Sequence, residues 1–150
     1  MAAEINATGF DDANLPGLRL PKNLRATADA AEAAAGADLL ILVVARENMA
    51  EVVEQLKGKV KSTATAVVMS KILMPDPLSK EKGDKGSGLH FGSEFVSQAL
   101  GIPAAVLMGG TLAADVARGY FAEATLGCKD PKVSEVLLEL FNKPNFSVSS

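Results

Sequence analysis

The stretch ADLLILVVAREN, residues 37–48, decides the fold. Six consecutive residues, Leu39 to Val44, carry no polar side chain, and Arg46, Glu47 and Asn48 follow at once. A strand with one wet face alternates apolar and polar side chains. An unbroken apolar run is instead buried on both faces, as in a parallel sheet covered by helices. The charged end marks where the strand leaves the interior.

Outward from this stretch the same grammar repeats. Ala64 to Met69, Ala104 to Met108 and Phe121 to Leu126 read as further strands, and Phe146 to Val148 as the start of a last one. Met49, Val52, Val53 and Leu56 recur at helical spacing before Gly58, as do Phe91, Phe95, Val96 and Leu100 before Gly101. Thr111 can cap a short helix through Ala117. Asp130-Pro131 joins an N-cap carboxylate to a proline at the first helical position. Val133, Val136, Leu137 and Leu140 give that helix its apolar face, and Pro144 ends it. Thr27 can cap an alanine-rich helix over Asp29–Ala35, stopped by Gly36. Residues 1–26 read as loop, on the turn chemistry of Asn14-Leu15-Pro16-Gly17 and Leu20-Pro21-Lys22-Asn23. Residues 72–88 read as an exposed, mobile loop. The alternation predicts an α/β fold over residues 27–150: a parallel sheet with flanking helices and right-handed crossovers.

With 150 residues, 48% apolar and 22% charged, the chain has the composition of one globular domain. A net charge of −3 argues against bulk nucleic-acid binding. No apolar run approaches the ~20 residues of a bilayer span. The opening MAAEINATGF lacks the basic and apolar blocks of a secretory signal. Cys128 and His90 are the only residues of their types. That excludes an internal disulfide, a cysteine zinc cluster and a multi-histidine metal site, and disfavours a Ser-His triad. A reducing, cytosol-like compartment fits.

In an open parallel sheet, ligands bind beyond the carboxyl ends of the strands. That rule gathers Val44-Ala45-Arg46, Met69-Ser70-Lys71, Met108-Gly109-Gly110-Thr111 and Gly127-Cys128-Lys129 on one rim. Lys71 reads two ways: a point charge on a stiff support that meets an anion or hydroxyl, or a loop lysine reaching solvent. Gly109-Gly110 either brings backbone N–H groups close to a polar ligand or makes a tight turn. Arg46 either binds phosphate or a ring, or is an ordinary surface arginine. His90 sits at a helix start, where capping or exposure competes with catalysis. Cys128 is a small hydrophobe or a nucleophile. Lys80-Glu81-Lys82-Gly83-Asp84-Lys85 is a solvated run.

Five segments, in order and spacing, resemble the eukaryotic-type NAD-dependent glycerol-3-phosphate dehydrogenases: LPGLRLPKNL (15–24), GADLLILVV (36–44), QLKGKVKSTAT (55–65), LGIPAAVLMGG (100–110) and LGCKDP (126–131). The resemblance implies reduction of dihydroxyacetone phosphate to glycerol 3-phosphate with NADH. It also implies an NAD-binding Rossmann domain, a helical C-terminal substrate domain, a homodimer and a cytoplasmic location. On this resemblance the chain is the later part of the N-terminal domain. Lys71 matches a lysine that contacts substrate near the nicotinamide. Ala113 matches an NAD-contacting alanine, in a turn that includes Gly109 and Gly110. Asn48 replaces an aromatic that lies against the cofactor, Ile72 stands where the family has glycine, and Thr111 replaces the turn's asparagine. The family's first strand, with its G-x-G-x-x-G turn for the diphosphate, is missing, as is the C-terminal domain with its acid/base lysine and phosphate-binding Arg-Asn pair. The chain is therefore expected to be inactive alone and marginally stable, with an open sheet edge. The alternatives are a non-enzymatic remnant or regulatory paralogue that pairs with a complete dehydrogenase, and a dehydrogenase of another substrate on the same core.

Overall fold

A computed structural model of the chain describes residues 1–75 and 89–150. The elements are α1 (Ala2–Thr8), α2 (Ala30–Ala34), β1 (Leu39–Leu42), α3 (Arg46–Leu56), β2 (Thr65–Val68), β3 (Leu73–Pro75), β4 (Leu89–Phe91), α4 (Gly92–Leu100), β5 (Ala104–Gly109), α5 (Ala113–Ala117), β6 (Ala122–Gly127), α6 (Pro131–Phe141) and β7 (Phe146–Ser149). Five strands form one sheet in the order β1-β2-β5-β6-β7, and β3 and β4 pair antiparallel as a separate ribbon. β1, β2 and β5 run parallel, with Leu40 beside Ala66 and Ala66 beside Ala104.

The α/β reading holds, with corrections to its details. Residues 73–75, in the segment read as a loop over 72–88, form β3, and residues 76–88 lie outside the described residues. β6 pairs antiparallel with β5, Leu126 opposite Leu107, so the sheet is mixed. Ala122, Ala124 and Leu126 are buried while Glu123 and Thr125 are exposed, the alternation of a strand covered on one side only. The N-terminal segment, read as loop, holds the short helix α1. It is tied down by Asn6, whose amide nitrogen donates to the Ala26 carbonyl at 2.7 Å and whose oxygen accepts from the Ala26 N–H at 2.8 Å. The Lys80–Lys85 run lies outside the described residues.

Caps account for the helix ends. Asp29 and Asp130 each accept backbone N–H groups of the turn they start. Thr27 stands one step further back: its hydroxyl accepts the Asp29 N–H at 3.2 Å and donates to Glu32. Thr111 is not a cap, because α5 starts one residue later, with Leu112 at its N-cap and no side-chain bond.

The core has two sides. On one, α2, α3 and α4 cover Leu40, Leu42, Ala66 and Val68 through Met49, Val53 and Val96. On the other, α6 covers Val67, Ala105, Leu107, Ala124 and Leu126 through Leu137. This second cover stops short of β1. Ile41 is 48% exposed and Val43 72%, and Val136 and Leu140 of α6 are open beside them. The outer edge of β1 is open as well. The carbonyls of Asp38 and Leu42 and the N–H of Val44 turn toward the β2 side. Alternation then points the backbone groups of Leu39, Ile41 and Val43 outward, where no described strand meets them.

An unpaired edge flanked by apolar side chains promotes association between chains. The purified chain is expected to elute at increasing apparent size with concentration on size-exclusion chromatography. Ile41→Lys should suppress that shift. A wild-type chain that stays a sharp monomer throughout would contradict the open-edge account.

Candidate functional site

The three parallel strands leave the sheet on the same side, and a cleft of about 820 Å³ opens across their ends. Val43 follows β1, Met69 and Lys71 follow β2, and Leu107 and Gly109 belong to β5. Thr111 and Ala113 line the next wall, and Lys143 and Phe146 close the cleft beyond the end of α6. The walls are mainly apolar. Two ammonium groups, Lys71 and Lys143, border the cleft, and no carboxylate is among its described lining residues. Such a cleft suits a ligand with a flat apolar part and an anionic part.

Lys71, Gly109 and Thr111 therefore share one cleft, as the strand-end rule expects, and Ala113, the position the resemblance singles out, lines it too. Gly110 is exposed between Gly109 and Thr111 at the cleft's margin. Asn48 is exposed in the first turn of α3 and is not among the lining residues. Cys128 and Lys129 are on the other rim, because β6 runs backward. They border a separate cavity of about 290 Å³ with Thr65, Ser93 and Ala104, where the parallel strands begin. The Cys128 thiol donates to the Asp130 carbonyl at 3.4 Å. His90 lies in β4, its Nδ1 3.5 Å from a Glu94 carboxylate oxygen. Arg46 is exposed, but its Nε donates to the Leu73 carbonyl at 3.2 Å, tying the start of α3 to β3.

The two adjacent glycines do different work. A Cβ on Gly109 would lie 1.9 Å from the Glu123 carbonyl oxygen of β6. Gly109 thus owes its identity to the close approach of the reversed strand. A Cβ on Gly110 would meet nothing. The helix that follows is five residues long, so its dipole is short.

Sequence reasoning missed Val43 and Lys143. Val43 is the exposed-face neighbour of Leu42, visible once the strand is known to have one open face. Lys143 follows α6, and its Nζ donates to the Glu139 carbonyl at 3.0 Å near that helix's end. Only the fall of α6 across the sheet brings it to the cleft.

An open, mostly parallel α/β sheet with a cleft across the carboxyl ends of its strands is the arrangement of Rossmann-type nucleotide-binding domains. The sequence model described as "NAD-dependent glycerol-3-phosphate dehydrogenase N-terminus" matches residues 1–134. The chain belongs to that family. It is 41% identical over 135 residues to the cytoplasmic glycerol-3-phosphate dehydrogenase [NAD(+)] of Pongo abelii, covering 90% of this chain and 36% of that protein. The Homo sapiens protein of the same name is 40% identical over 135 residues, with the same coverage. The structure of the Plasmodium falciparum glycerol-3-phosphate dehydrogenase superposes with a TM-score of 0.86 at 30% identity, covering 99% of this chain and 40% of that one. The chain thus spans little more than a third of the length of these curated relatives.

The glycine reading gives a stability test. Gly109→Ala should lose roughly 1–3 kcal/mol or more, as an atom forced against backbone does. Gly110→Ala should leave stability nearly unchanged. Urea midpoints compare the two, and equal midpoints would refute the close-approach account.

Proposed function

We propose that this chain supplies the substrate-side rim of the NAD site in the interconversion of dihydroxyacetone phosphate and glycerol 3-phosphate. Lys71 binds substrate, and Ala113 with the Gly109-Gly110 turn borders the cofactor. The observation that carries this reading is the placement of Lys71 and Ala113 in one apolar-walled cleft, in a chain of this family. When bound, NADH supplies the hydride. The chain's own contribution is to seat a flat ring against Val43, Met69 and Leu107 and to set a cation beside an anionic or hydroxyl-bearing substrate. The cleft fits only part of the cofactor. No G-x-G-x-x-G turn opens a helix in this sequence, so these residues offer no cradle for the diphosphate. Asn48, on the exposed turn of α3, would touch cofactor only from outside the cleft. The acid/base group is not assigned to any of these residues.

On this reading the protein is cytoplasmic and works as a homodimer. Its curated relatives are named cytoplasmic, and among the described residues no helix is long and apolar enough to cross a membrane. A regulatory role, in which the chain pairs with a complete dehydrogenase, draws support from the uncovered β1 edge. A pull-down from native extract that recovers no dehydrogenase subunit would count against that second role.

Purified chain is expected to show no saturable NADH binding in the micromolar range and no turnover. At millimolar NADH, amide resonances of Lys71, Gly110 and Ala113 should shift, while those of Cys128 and Lys129 on the opposite rim stay fixed. Shifts confined to the opposite rim, or micromolar affinity, would overturn the assignment.

A further inference from the structure

The end of β2 carries a feature that the fold does not require. The last backbone bond from this region to β1 is Met69 N–H to the Leu42 carbonyl, at 3.0 Å. The next rung is made by a side chain. The Ser70 hydroxyl accepts the Val44 N–H at 2.9 Å and donates to the Val44 carbonyl at 2.6 Å. One oxygen thus satisfies both backbone groups of a residue that has no strand partner left. Its backbone is then free to turn: the Ile72 N–H donates to the Ser70 carbonyl at 2.9 Å, a three-residue turn with Lys71 at its apex.

The far side of that turn is tied as well. The Ile72 carbonyl accepts the Gly92 N–H at 3.2 Å, and a Cβ on Gly92 would sit 2.7 Å from Ile72 Cγ1. Arg46 Nε holds the Leu73 carbonyl. Both neighbours of Lys71 are therefore fixed, one to the tip of β1 and one to the start of α4, while Lys71 itself is exposed to the cleft.

We infer that Ser70 is a positioning residue for Lys71, and that Arg46 supports it. The hydroxyl replaces a rung of the parallel ladder, locks the β1 tip to residues 70–73, and so fixes the backbone from which the Lys71 ammonium reaches an anionic ligand. This rests on the assignment of Lys71 as substrate-binding.

The test is a double-mutant cycle in the whole chain, with glycerol 3-phosphate as the probe and the Ala113 amide shift as the readout. Ser70→Ala should weaken apparent binding by about three- to tenfold, the scale of one net hydrogen bond, and speed amide exchange at Val44 and Ile72. Ser70→Thr keeps the hydroxyl and should restore both. In a Lys71→Gln background, Ser70→Ala should cause no further loss, because there is no ammonium left to place. Arg46→Met removes the second tie without touching the ladder and should show the same dependence on Lys71. An equal loss with and without Lys71 would mean that Ser70 is merely structural, and no loss with Lys71 present would also overturn the inference. If Lys71→Gln binds the probe as wild type does, the assignment of Lys71 falls first and this inference falls with it.

Discussion

Strands that pair in parallel enter a sheet from one end and leave it at the other together. β1, β2 and β5 obey that constraint, and their register leaves little freedom to the loops beyond them. Val43, Lys71 and the Gly109–Ala113 turn must reach the same rim, whatever their side chains. β6 breaks the pattern, and its reversal sorts the remaining candidates. Cys128 and Lys129 are equally close to a strand end in sequence, yet the antiparallel step sends them to the other border. The direction of one strand separates the residues of the cleft from residues that only resemble them.

Strand positions were legible because long apolar runs have few other uses in a small α/β chain. β1 and β2 fall within the expected runs, and β5 exceeds its run by one residue, Gly109. The direction of β6 was not legible: the alternation of elements predicts it parallel with the others, and its own sequence signals only one-sided cover. Glu123 and Thr125 interrupt the apolar residues at period two, which a strand buried on both faces does not tolerate. The helical period over Val133, Val136, Leu137 and Leu140 identifies α6 but not its cover. Leu137 is buried, whereas Val136 and Leu140 remain open, because cover depends on what lies opposite. Lys71 was legible from its place after a buried strand. Lys143 was not, since its place at the cleft depends on the angle of α6. Nor was the tie between Asn6 and Ala26, which joins two segments by hydrogen bonds that no periodicity announces.

The uneven cover of the sheet has an energetic meaning. Burying an aliphatic side chain of this size contributes about 1.5–3 kcal/mol. Ile41, Val43, Val136 and Leu140 leave much of that unrealised on one side of β1. Whole domains are stable by only about 5–15 kcal/mol. The opposite side, where Met49, Val53, Val68 and Val96 are sealed, must therefore carry a disproportionate share of the folding energy. β1 is the strand on which this matters most. It is held by one sheet neighbour and one covered face, yet its tip forms a wall of the cleft.

That weakness explains why the rim needs extra ties. A strand paired on both edges holds its end in place by its own ladder. β1 has a ladder on one edge, and the ladder ends at Leu42, immediately before Val43, which lines the cleft. Beyond that point the backbone would be free to move with solvent. The Ser70 hydroxyl extends the pairing by one rung, to Val44, and Arg46 adds a second tie, so the β1 tip and the Lys71 turn are held to each other. Binding by a flexible lysine loses affinity to the ordering of its loop, about 1–2 kcal/mol for each backbone residue fixed. Ordering that is already present in the free protein removes that cost. The opposite wall, at Gly110 and Thr111, has no comparable side-chain tie among the described hydrogen bonds. The side-chain ties thus gather on one wall of the cleft, and the Lys71 cation stands on that wall.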